Sequence, residues 1–402
     1  MSGKIIKIIN ARVITPDGII PHGTVIIKDG SIAEIRETNP EISDATEIDA
    51  AGRYLSPGFI DIHVHGGGGY DFMDGTEEAF HEIARFHAKH GTTALTPTTL
   101  SSDKKSILDT LTLYEKASLN NHDGAGFIGM HLEGPYFAMN QRGAQDPRFI
   151  RNPDPEEYME ILAASNAIAR WSIAPELEGS IQMGRYLKKK GILPAIAHTD
   201  AIYEEVQEAF DSGFTLITHL YSGMSGVTRK NCFRFAGVIE SAFIIDDMDV
   251  EVIGDGIHVP PPLLKLVYKI KGADKISLIT DAIRGAGLPP GESVIGNKDN
   301  GLKVILEDGV AKLPDRSSFA GSTATADRLV RTMVTMAGIP LADAVKMLTS
   351  TPARIAGFSD KKGTIEPGKD ADLILFDEHI NVTFTMVKGK LIYEKKFPTG
   401  YH

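Results

Sequence analysis

The side chains of this sequence that are best suited to bind a metal ion stand at the ends of apolar stretches. They are four histidines and two carboxylates: His63, His65, Glu133, His198, His219 and Asp281. The two-residue spacing of His63 and His65 puts both imidazoles on one face of a strand. A carboxylate that ends an apolar run is costly to bury unless it is paired or binds a cation. Nitrogen and oxygen ligands without thiolate suit Zn²⁺ or another divalent transition ion, so the sequence predicts a divalent metal site.

The stretches that carry these residues alternate with segments that have the apolar spacing of helices. We predict eight buried parallel strands, at residues 59–65, 94–98, 126–133, 171–176, 192–199, 216–221, 250–254 and 276–281. Helices are predicted among them at residues 77–90, 103–119, 155–164, 181–190, 204–212, 261–270 and 324–337. This alternation predicts an α/β fold, a (β/α)8 TIM-like barrel over residues 55–359. The candidate ligands all fall at the carboxyl ends of strands, where barrels of this kind build their active sites.

Both ends of the chain are instead rich in short β segments separated by turns. Residues 1–54 contain the turns Pro16-Asp17-Gly18 and Lys28-Asp29-Gly30, and residues 360–402 contain a Lys388-Gly389 turn. Each block is too small to close a hydrophobic core alone. We therefore predict that residues 1–54 and 360–402 pair into one small β-sandwich domain beside the barrel.

The composition excludes several classes of function. The 402 residues carry a formal net charge of −11, which argues against nucleic acid or an anionic membrane as the main partner. The single cysteine, Cys232, rules out an internal disulfide and a cysteine-built zinc cluster. No apolar run approaches the roughly 18 residues of a membrane span, and no targeting segment is visible. We expect a cytoplasmic protein.

Several short motifs surround the candidate ligands in a fixed order. They are Ser56-Pro-Gly-Phe-Ile-Asp61, His131-Leu-Glu-Gly-Pro-Tyr136, Ala197-His-Thr-Asp200, His219-Leu-Tyr221, Asp255-Gly-Ile-His-Val259, Thr280-Asp-Ala282, Phe319-Ala-Gly-Ser322 and Gly363-Thr-Ile-Glu-Pro-Gly-Lys-Asp-Ala-Asp-Leu373. Together they resemble the amidohydrolase superfamily and, within it, the N-acetylglucosamine-6-phosphate deacetylase family. The resemblance runs along the whole chain, and the ordered set is far more specific than any one motif.

The resemblance implies hydrolysis of the acetamide of an N-acetyl amino sugar phosphate. It assigns a metal-binding role to Glu133, His198 and His219, proton transfer to Asp281, and a substrate contact to His258. Because this sequence also has the His-X-His of its first barrel strand, a second ion bridged by Glu133 is possible. The expected cofactor is one or two divalent ions per subunit, with zinc first and iron or another metal as alternatives. Family members are commonly homodimers, so a homodimer is expected here.

The resemblance also assigns substrate contacts, and this is where the sequence departs from the family. The assigned residues are Ala144, Gln145, Ser222, Gly223, Lys230, His258, Phe319, Ala320, Gly321 and Ser322. Here the usual Lys-Gly-Ala-His is Arg142-Gly-Ala-Gln145, the usual Asn-Ala is Ser222-Gly223, and the usual Arg-Glu-Pro-Gly is Lys230-Asn-Cys-Phe233. The chemistry is thus expected more firmly than the substrate.

Three interpretations therefore stay open. The first is hydrolysis of N-acetylglucosamine 6-phosphate to glucosamine 6-phosphate and acetate. The second keeps the fold and the metal but changes the substrate to N-acetylgalactosamine 6-phosphate, an unphosphorylated sugar, another acylated amine, or a cyclic amide or deaminase substrate. The third is a sugar-binding protein without catalysis.

Overall fold

The computed structural model describes residues 4–395, and the chain begins with a group of paired strands. These are β1 (Ile5–Thr15), β2 (Gly18–Lys28), β3 (Ser31–Arg36), β4 (Thr46–Asp49) and β5 (Tyr54–Pro57). β2 and β3 are joined through Asp29 and Gly30, whose φ angles of 49° and 82° are both positive. Tight hairpin turns of this handedness favour an Asp-Gly pair, because glycine adopts positive φ without steric cost.

The middle of the chain alternates strands and helices. Its strands are β6 (Phe59–Val64), β7 (Gly66–Gly67), β8 (Tyr70–Asp71), β9 (Thr92–Thr99), β10 (Gly126–Phe127), β11 (Met130–Glu133), β12 (Ile168–Ile173), β13 (Leu193–Ile196), β14 (Leu216–Ile217), β15 (Thr228–Lys230), β16 (Phe233–Phe235), β17 (Asp249–Ile253) and β18 (Ile276–Ile279). Its helices are α1 (Glu77–Ala88), α2 (Lys104–Asn120), α3 (Pro155–Ala164), α4 (Ser180–Lys189), α5 (Tyr203–Ser212), α6 (Val238–Ile244) and α7 (Pro261–Lys271).

Eight of these strands form the barrel sheet in the order β6-β9-β11-β12-β13-β14-β17-β18, and all neighbours are parallel. The last strand returns beside the first, where the Asp281 backbone N–H donates to the carbonyl oxygen of His63 at 3.0 Å. Strands buried on both faces read as continuous apolar runs, which is why the sequence shows them. The predicted (β/α)8 barrel is confirmed.

An antiparallel sheet that the sequence did not predict follows the last barrel strand. Its strands are β19 (Gly291–Ile295), β20 (Leu302–Glu307), β21 (Val310–Lys312) and β22 (Phe319–Ser322), paired in this order. Three helices come next: α8 (Ala326–Thr335), α9 (Leu341–Lys346) and α10 (Ser350–Ile355). The chain then forms its last described strands, β23 (Leu373–Phe376), β24 (Val382–Val387) and β25 (Lys390–Glu394).

The two ends of the chain share one sheet. Its order is β25-β24-β23-β5-β1-β2-β3, with β4 paired to β1, so β5 and β23 join the amino-terminal strands to the carboxyl-terminal ones. Apolar side chains from both ends, such as Val13, Leu55 and Leu375, pack into a common core. The two ends therefore pair into one β-rich domain, as predicted, but their described strands form a single sheet where the sequence led us to expect a sandwich. β5 extends this sheet to Pro57, and residues 1–3 and 396–402 of the predicted domain lie outside the described residues.

No helix among residues 4–395 is long and apolar enough to cross a lipid bilayer.

Candidate metal centre and substrate cavity

The six candidate ligands lie together at the carboxyl end of the barrel. His63 is in β6 and Glu133 is the last residue of β11, whereas the other ligands follow the ends of their strands. His198, His219 and Asp281 have φ angles of 45°, 30° and 47°, in the left-handed region that residues other than glycine rarely adopt. Such strained positions persist only where the surrounding structure holds them, and they cluster at functional sites.

Glu133 is the centre of the cluster. Its Oε1 lies 2.9 Å from His219 Nε2 and 3.5 Å from His198 Nε2, and we call these two histidines the His198 pair. On the other side, His63 Nε2 lies 3.5 Å from Oε1 and His65 Nε2 lies 3.4 Å from Oε2; these form the His63 pair. With each pair, Glu133 forms a triad whose ligand atoms all lie within 4.8 Å of one another. The carboxylate therefore belongs to both triads.

Asp281 lies beside the His63 pair. Its Oδ1 is 3.2 Å from His65 Nε2 and 3.5 Å from His63 Nε2. The left-handed backbone at Asp281 is held by the N–H bond to His63 and by the Ser322 N–H, which donates to the Asp281 carbonyl oxygen at 2.8 Å. The structure thus brings all six predicted ligands to one place.

The orientation of the imidazoles fits a divalent cation. The Nδ1 atom of His63 lies 3.1 Å from a carboxylate oxygen of Glu251, that of His65 lies 3.3 Å from the Thr98 carbonyl oxygen, and that of His198 lies 2.7 Å from the Gln141 carbonyl oxygen. In a neutral ring, an acceptor at Nδ1 fixes the single proton there, so the Nε2 lone pair is available to a cation bound beside Glu133. Buried imidazole and carboxylate donors that converge in this way are typical of a divalent transition metal site.

Charge reinforces this arrangement. Burial alone would raise the pKa of the Glu133 carboxyl, but the charge of His63 and hydrogen bonds from His198 and His219 hold that pKa well below its usual range. Burial likewise opposes the charge of Asp281, yet the hydrogen bond from His65 and the charge of His63 lower its pKa. Both carboxylates are therefore ionised at neutral pH and present negative charge to a cation.

A cavity of about 560 Å³ opens above the cluster. It is lined by most residues that the sequence predicts to touch metal or substrate: His65, Ala144, Glu133, Gln145, His198, His219, Ser222, Gly223, His258, Asp281, Phe319 and Gly321. His258 is held by Asp255, whose Oδ2 lies 2.7 Å from His258 Nδ1, and its ring packs on Phe319 with centroids 4.6 Å apart.

Four predicted residues do not line this cavity. His63 is fully buried below it, behind the other ligands. Ala320 and Ser322 are also fully buried, and the Ser322 hydroxyl donates to the Thr280 carbonyl oxygen at 2.5 Å, so both support the wall from behind. Lys230 is at the end of β15, on the exposed hairpin with β16, and does not reach the cavity of its own chain.

Sequence reasoning also missed cationic residues that do line the cavity. Lys312 ends β21, and Arg316 with Ser317 and Ser318 follows it in the turn before β22. Within residues 4–395 they are the only lysine and arginine that line the cavity. The signal available was a short basic turn directly before Phe319, which the sequence already places at the substrate.

A buried charged network below the cluster was missed as well. Arg170 of β12 pairs with Glu251 of β17, which in turn faces His63. Arg170 also donates to the Ile62 carbonyl oxygen at 3.0 Å and contacts His131 Nδ1 at 2.6 Å. Arg170 and Glu251 each stand between apolar neighbours in their strands. A charged residue inside an apolar strand needs a buried partner, and this was the sequence signal that could have identified the ion pair.

Gln145 is placed differently from a simple substrate contact. Its side-chain Nε2 donates to Glu133 Oε2 at 2.6 Å, and its Oε1 accepts from the Ser101 backbone N–H at 2.8 Å. The residue is only 5% exposed although it touches the cavity.

Comparison with known proteins places this chain among hydrolases. The sequence model of the amidohydrolase family matches residues 54–392. The chain is 32% identical to the N-acetylgalactosamine-6-phosphate deacetylase of Escherichia coli O157:H7, covering 94% of this chain and 97% of the relative. It is 33% identical to the N-acetylglucosamine-6-phosphate deacetylase of Lysinibacillus sphaericus, covering 95% and 96% of the two chains.

Solved structures give the same picture. The N-acetylglucosamine-6-phosphate deacetylase of Pasteurella multocida superposes with a TM-score of 0.90 at 27% identity, over 96% of this chain and 99% of that one. A variant of the Mycobacterium smegmatis enzyme, solved in complex with N-acetyl-D-glucosamine 6-phosphate, superposes with a TM-score of 0.88 at 28% identity, over 98% and 100% of the chains.

Proposed function

The chain belongs to the amidohydrolase family and, within it, to the N-acetylglucosamine-6-phosphate deacetylases, and from this premise we propose that it hydrolyses the acetamide of an N-acetyl amino sugar phosphate. N-acetylglucosamine 6-phosphate is the first candidate substrate, with glucosamine 6-phosphate and acetate as products. The observation that carries the proposal is the pair of triads around Glu133, with Asp281 beside them, at the floor of a sugar-sized cavity.

The cofactor of this reaction is a divalent cation, with zinc as the first expectation. Glu133, His198 and His219 would hold one ion, and His63 and His65 would hold a second that shares Glu133. When bound, a divalent cation would supply Lewis acidity and would lower the pKa of coordinated water to about 7.

Asp281 is the residue that would move the proton. Its carboxylate is ionised at neutral pH and buried next to His65, so it can accept a proton from the attacking water. The same carboxyl group then donates that proton to the amine nitrogen as the C–N bond breaks, which leaves the carboxylate ready for another cycle. The backbone hydrogen bonds that hold Asp281 in its left-handed conformation keep its carboxylate in place for this role.

His258 would position the acetyl group. Because Asp255 accepts at Nδ1, the His258 ring is fixed in the cavity wall with its other nitrogen free to contact the substrate. A donor held in advance at the acetyl oxygen stabilises the negative charge that develops there during attack.

Lys312 and Arg316 would receive the phosphate. Glu307 holds them side by side, since its Oε1 lies 3.3 Å from Lys312 Nζ and 3.2 Å from Arg316 Nε. Arg316→Ala should raise KM for the phosphorylated sugar about fivefold, the effect of losing roughly 1 kcal/mol of hydrogen bonding. KM for the unphosphorylated sugar should not change, and Lys303→Ala, an exposed lysine on β20, is the matched control. Equal effects on both sugars would contradict this assignment.

A second candidate substrate is N-acetylgalactosamine 6-phosphate. It is favoured by the 32% identical Escherichia coli relative and by Ser222 and Gly223, which differ from the usual family residues in the cavity wall. The sugar epimer is the single point on which the two candidates differ.

An acetate-release screen tests the proposal. Purified protein, with its metal content measured, is assayed with both 6-phosphates and with the two free N-acetyl sugars. The phosphorylated sugar from which acetate is released with the highest kcat/KM of the four is identified as the substrate. Binding of a sugar phosphate without acetate release by metal-replete protein would contradict catalysis and favour the sugar-binding alternative.

We also expect a homodimer in the cytoplasm. The exposed hairpin of β15 and β16 carries Phe233, whose side chain is 73% exposed, next to the basic residues Arg229 and Lys230. Burial of such an apolar side chain against a second copy would be favourable. Light scattering on the purified protein measures the oligomeric state.

A further inference from the structure

We propose that Gln145 is a positioning residue, which fixes the carboxylate that both cation positions share, and that it is not primarily a substrate contact. The inference rests on the proposed metal-dependent function, and its evidence is the pair of hydrogen bonds that the Gln145 side chain makes. It replaces the role that the sequence assigns to Gln145.

The orientation of the Gln145 amide is fixed by its two partners. The Ser101 backbone N–H is a donor, so the atom of the amide that faces it must be the carbonyl oxygen. The NH₂ group then has to face Glu133, where its 2.6 Å contact with Oε2 is a charge-assisted hydrogen bond. Ser101 follows β9 and Glu133 ends β11, so the amide ties the ends of two neighbouring barrel strands to each other.

Glu133 needs such a partner because of its shared position. The last torsion of a glutamate side chain is broad, so a carboxylate rotates readily unless hydrogen bonds hold it. His219 approaches Oε1 at 2.9 Å, whereas His65, at 3.4 Å, is the other residue within 4–395 that contacts Oε2. Gln145 therefore provides the short contact on the Oε2 side and keeps the plane of the carboxylate aligned with both pairs of histidines.

The neutral charge of the Gln145 amide suits this position beside a metal-binding carboxylate. Gln145 is a neutral donor, so it stabilises the ionised carboxylate without competing as a cation, as a lysine or arginine would. It leaves Oε1 to the histidine ligands and occupies one lone pair of Oε2. Loss of hydrogen bonds to ligating groups typically weakens metal binding 10–100-fold, and we expect an effect of this size here.

A substrate-free metal titration tests the inference. Metal-free protein is titrated with Co²⁺, whose absorption spectrum reports ligand number, and with Zn²⁺ against a chromogenic chelator. Gln145→Leu removes both hydrogen bonds at similar volume, and Gln145→Asn keeps the amide but is too short to reach Ser101 and Glu133 together. Both variants should bind the metals about 10–100-fold more weakly than the natural protein. Gln207→Leu, at a half-buried glutamine of α5 that does not line the cavity, is the matched control and should not differ.

Kinetics and rescue separate positioning from substrate contact. Gln145→His, which returns a side-chain N–H to this place, should recover part of the metal affinity that Leu loses. With deacetylation assayed, the Leu and Asn variants should lose kcat at limiting metal, regain it at excess metal, and keep a KM close to that of the natural protein. Metal affinity that stays unchanged in both variants, together with a raised KM, would overturn the inference. If the natural protein releases no acetate from any sugar, the proposed function fails, yet the Co²⁺ titration still decides the role of Gln145.

Discussion

The His63 pair and the His198 pair meet at the same carboxylate but are held in place by different means. His63 belongs to a regular strand, and its Nδ1 faces the buried carboxylate of Glu251. His198 and His219 instead follow their strands in left-handed conformations, and His198 Nδ1 faces a backbone carbonyl oxygen. The His63 pair thus depends on a buried side-chain charge through His63, although the Nδ1 atom of His65 faces the Thr98 carbonyl oxygen, whereas the His198 pair depends on loop backbone.

The charge behind the His63 pair is itself paired. Burial would raise the pKa of Glu251, but the adjacent Arg170 guanidinium and His63 lower it, so Glu251 is ionised. A buried ion pair adds little net stability, but removing one partner costs about 3–5 kcal/mol. The two pairs of ligands should therefore respond differently to substitutions outside the site.

Removal of the shared Glu133 carboxylate should abolish metal binding at the His63 pair and at the His198 pair alike. Glu133→Ala removes one candidate ligand from each triad, and the four imidazoles lose the carboxylate that they face. We expect loss of essentially all bound metal and of all measurable deacetylation. Elemental analysis of the purified variant checks the metal, and retention of a full complement of ions would contradict the central role of Glu133.

Substitution of Asp281 should separate catalysis from metal binding. Asp281→Asn keeps the shape and one oxygen acceptor but cannot accept a proton at neutral pH. We expect near-normal metal content and a kcat lower by about 10²–10⁴-fold. Steady-state assays at saturating substrate measure this loss of kcat, and near-full activity would remove Asp281 from proton transfer.

Neutralisation of Glu251 should affect the His63 pair only. Glu251→Gln weakens the acceptor at His63 Nδ1 and leaves Arg170 buried without an anionic partner. We expect one metal equivalent to bind about 10–100-fold more weakly and the other to remain unchanged, with a lower unfolding temperature. Calorimetric titration with Zn²⁺ resolves the two equivalents; equal weakening of both would contradict the comparison.

The corresponding change behind the His198 pair should have the smallest effect. Glu176 accepts from the Thr199 hydroxyl at 2.5 Å and from the Asp200 backbone N–H at 2.7 Å, and so supports the loop that carries His198. In Glu176→Gln the amide oxygen can keep the Asp200 bond while its NH₂ group faces the Thr199 oxygen. We expect metal affinity within about threefold of the natural protein in the same titration, because no imidazole loses a partner. A larger loss would show that the loop depends on charge.

The barrel was predictable because its signal is local. Each parallel strand is a continuous apolar run, and a histidine or carboxylate at its end stands out against such a run. His63, Glu133 and Asp281 are far apart in sequence, but the rule that strand ends meet at one face of a barrel is enough to place them together.

The supports of the site were not predictable in the same way. Arg170 and Glu251 lie on strands that are not adjacent in the sheet, so their pairing depends on the closed barrel interior. The strands β19 to β22 are short and partly exposed, and their alternation is too brief to read from sequence. His87 of α1 shows the same limit, because it is buried with its Nε2 atom 3.0 Å from the Gly66 carbonyl oxygen, a contact with a distant loop that the sequence of the helix does not reveal.

The junction of β5 with β23 has a consequence for how the protein is made. The two strands pair residue by residue, from Tyr54 with Phe376 to Pro57 with Leu373, although they come from opposite ends of the chain. Synthesis delivers the amino-terminal strands first, so the edge of β5 stays open while the ribosome completes the rest of the polypeptide. An uncovered strand edge can pair with other chains, so this edge is open to pairing between nascent copies until the final strands emerge.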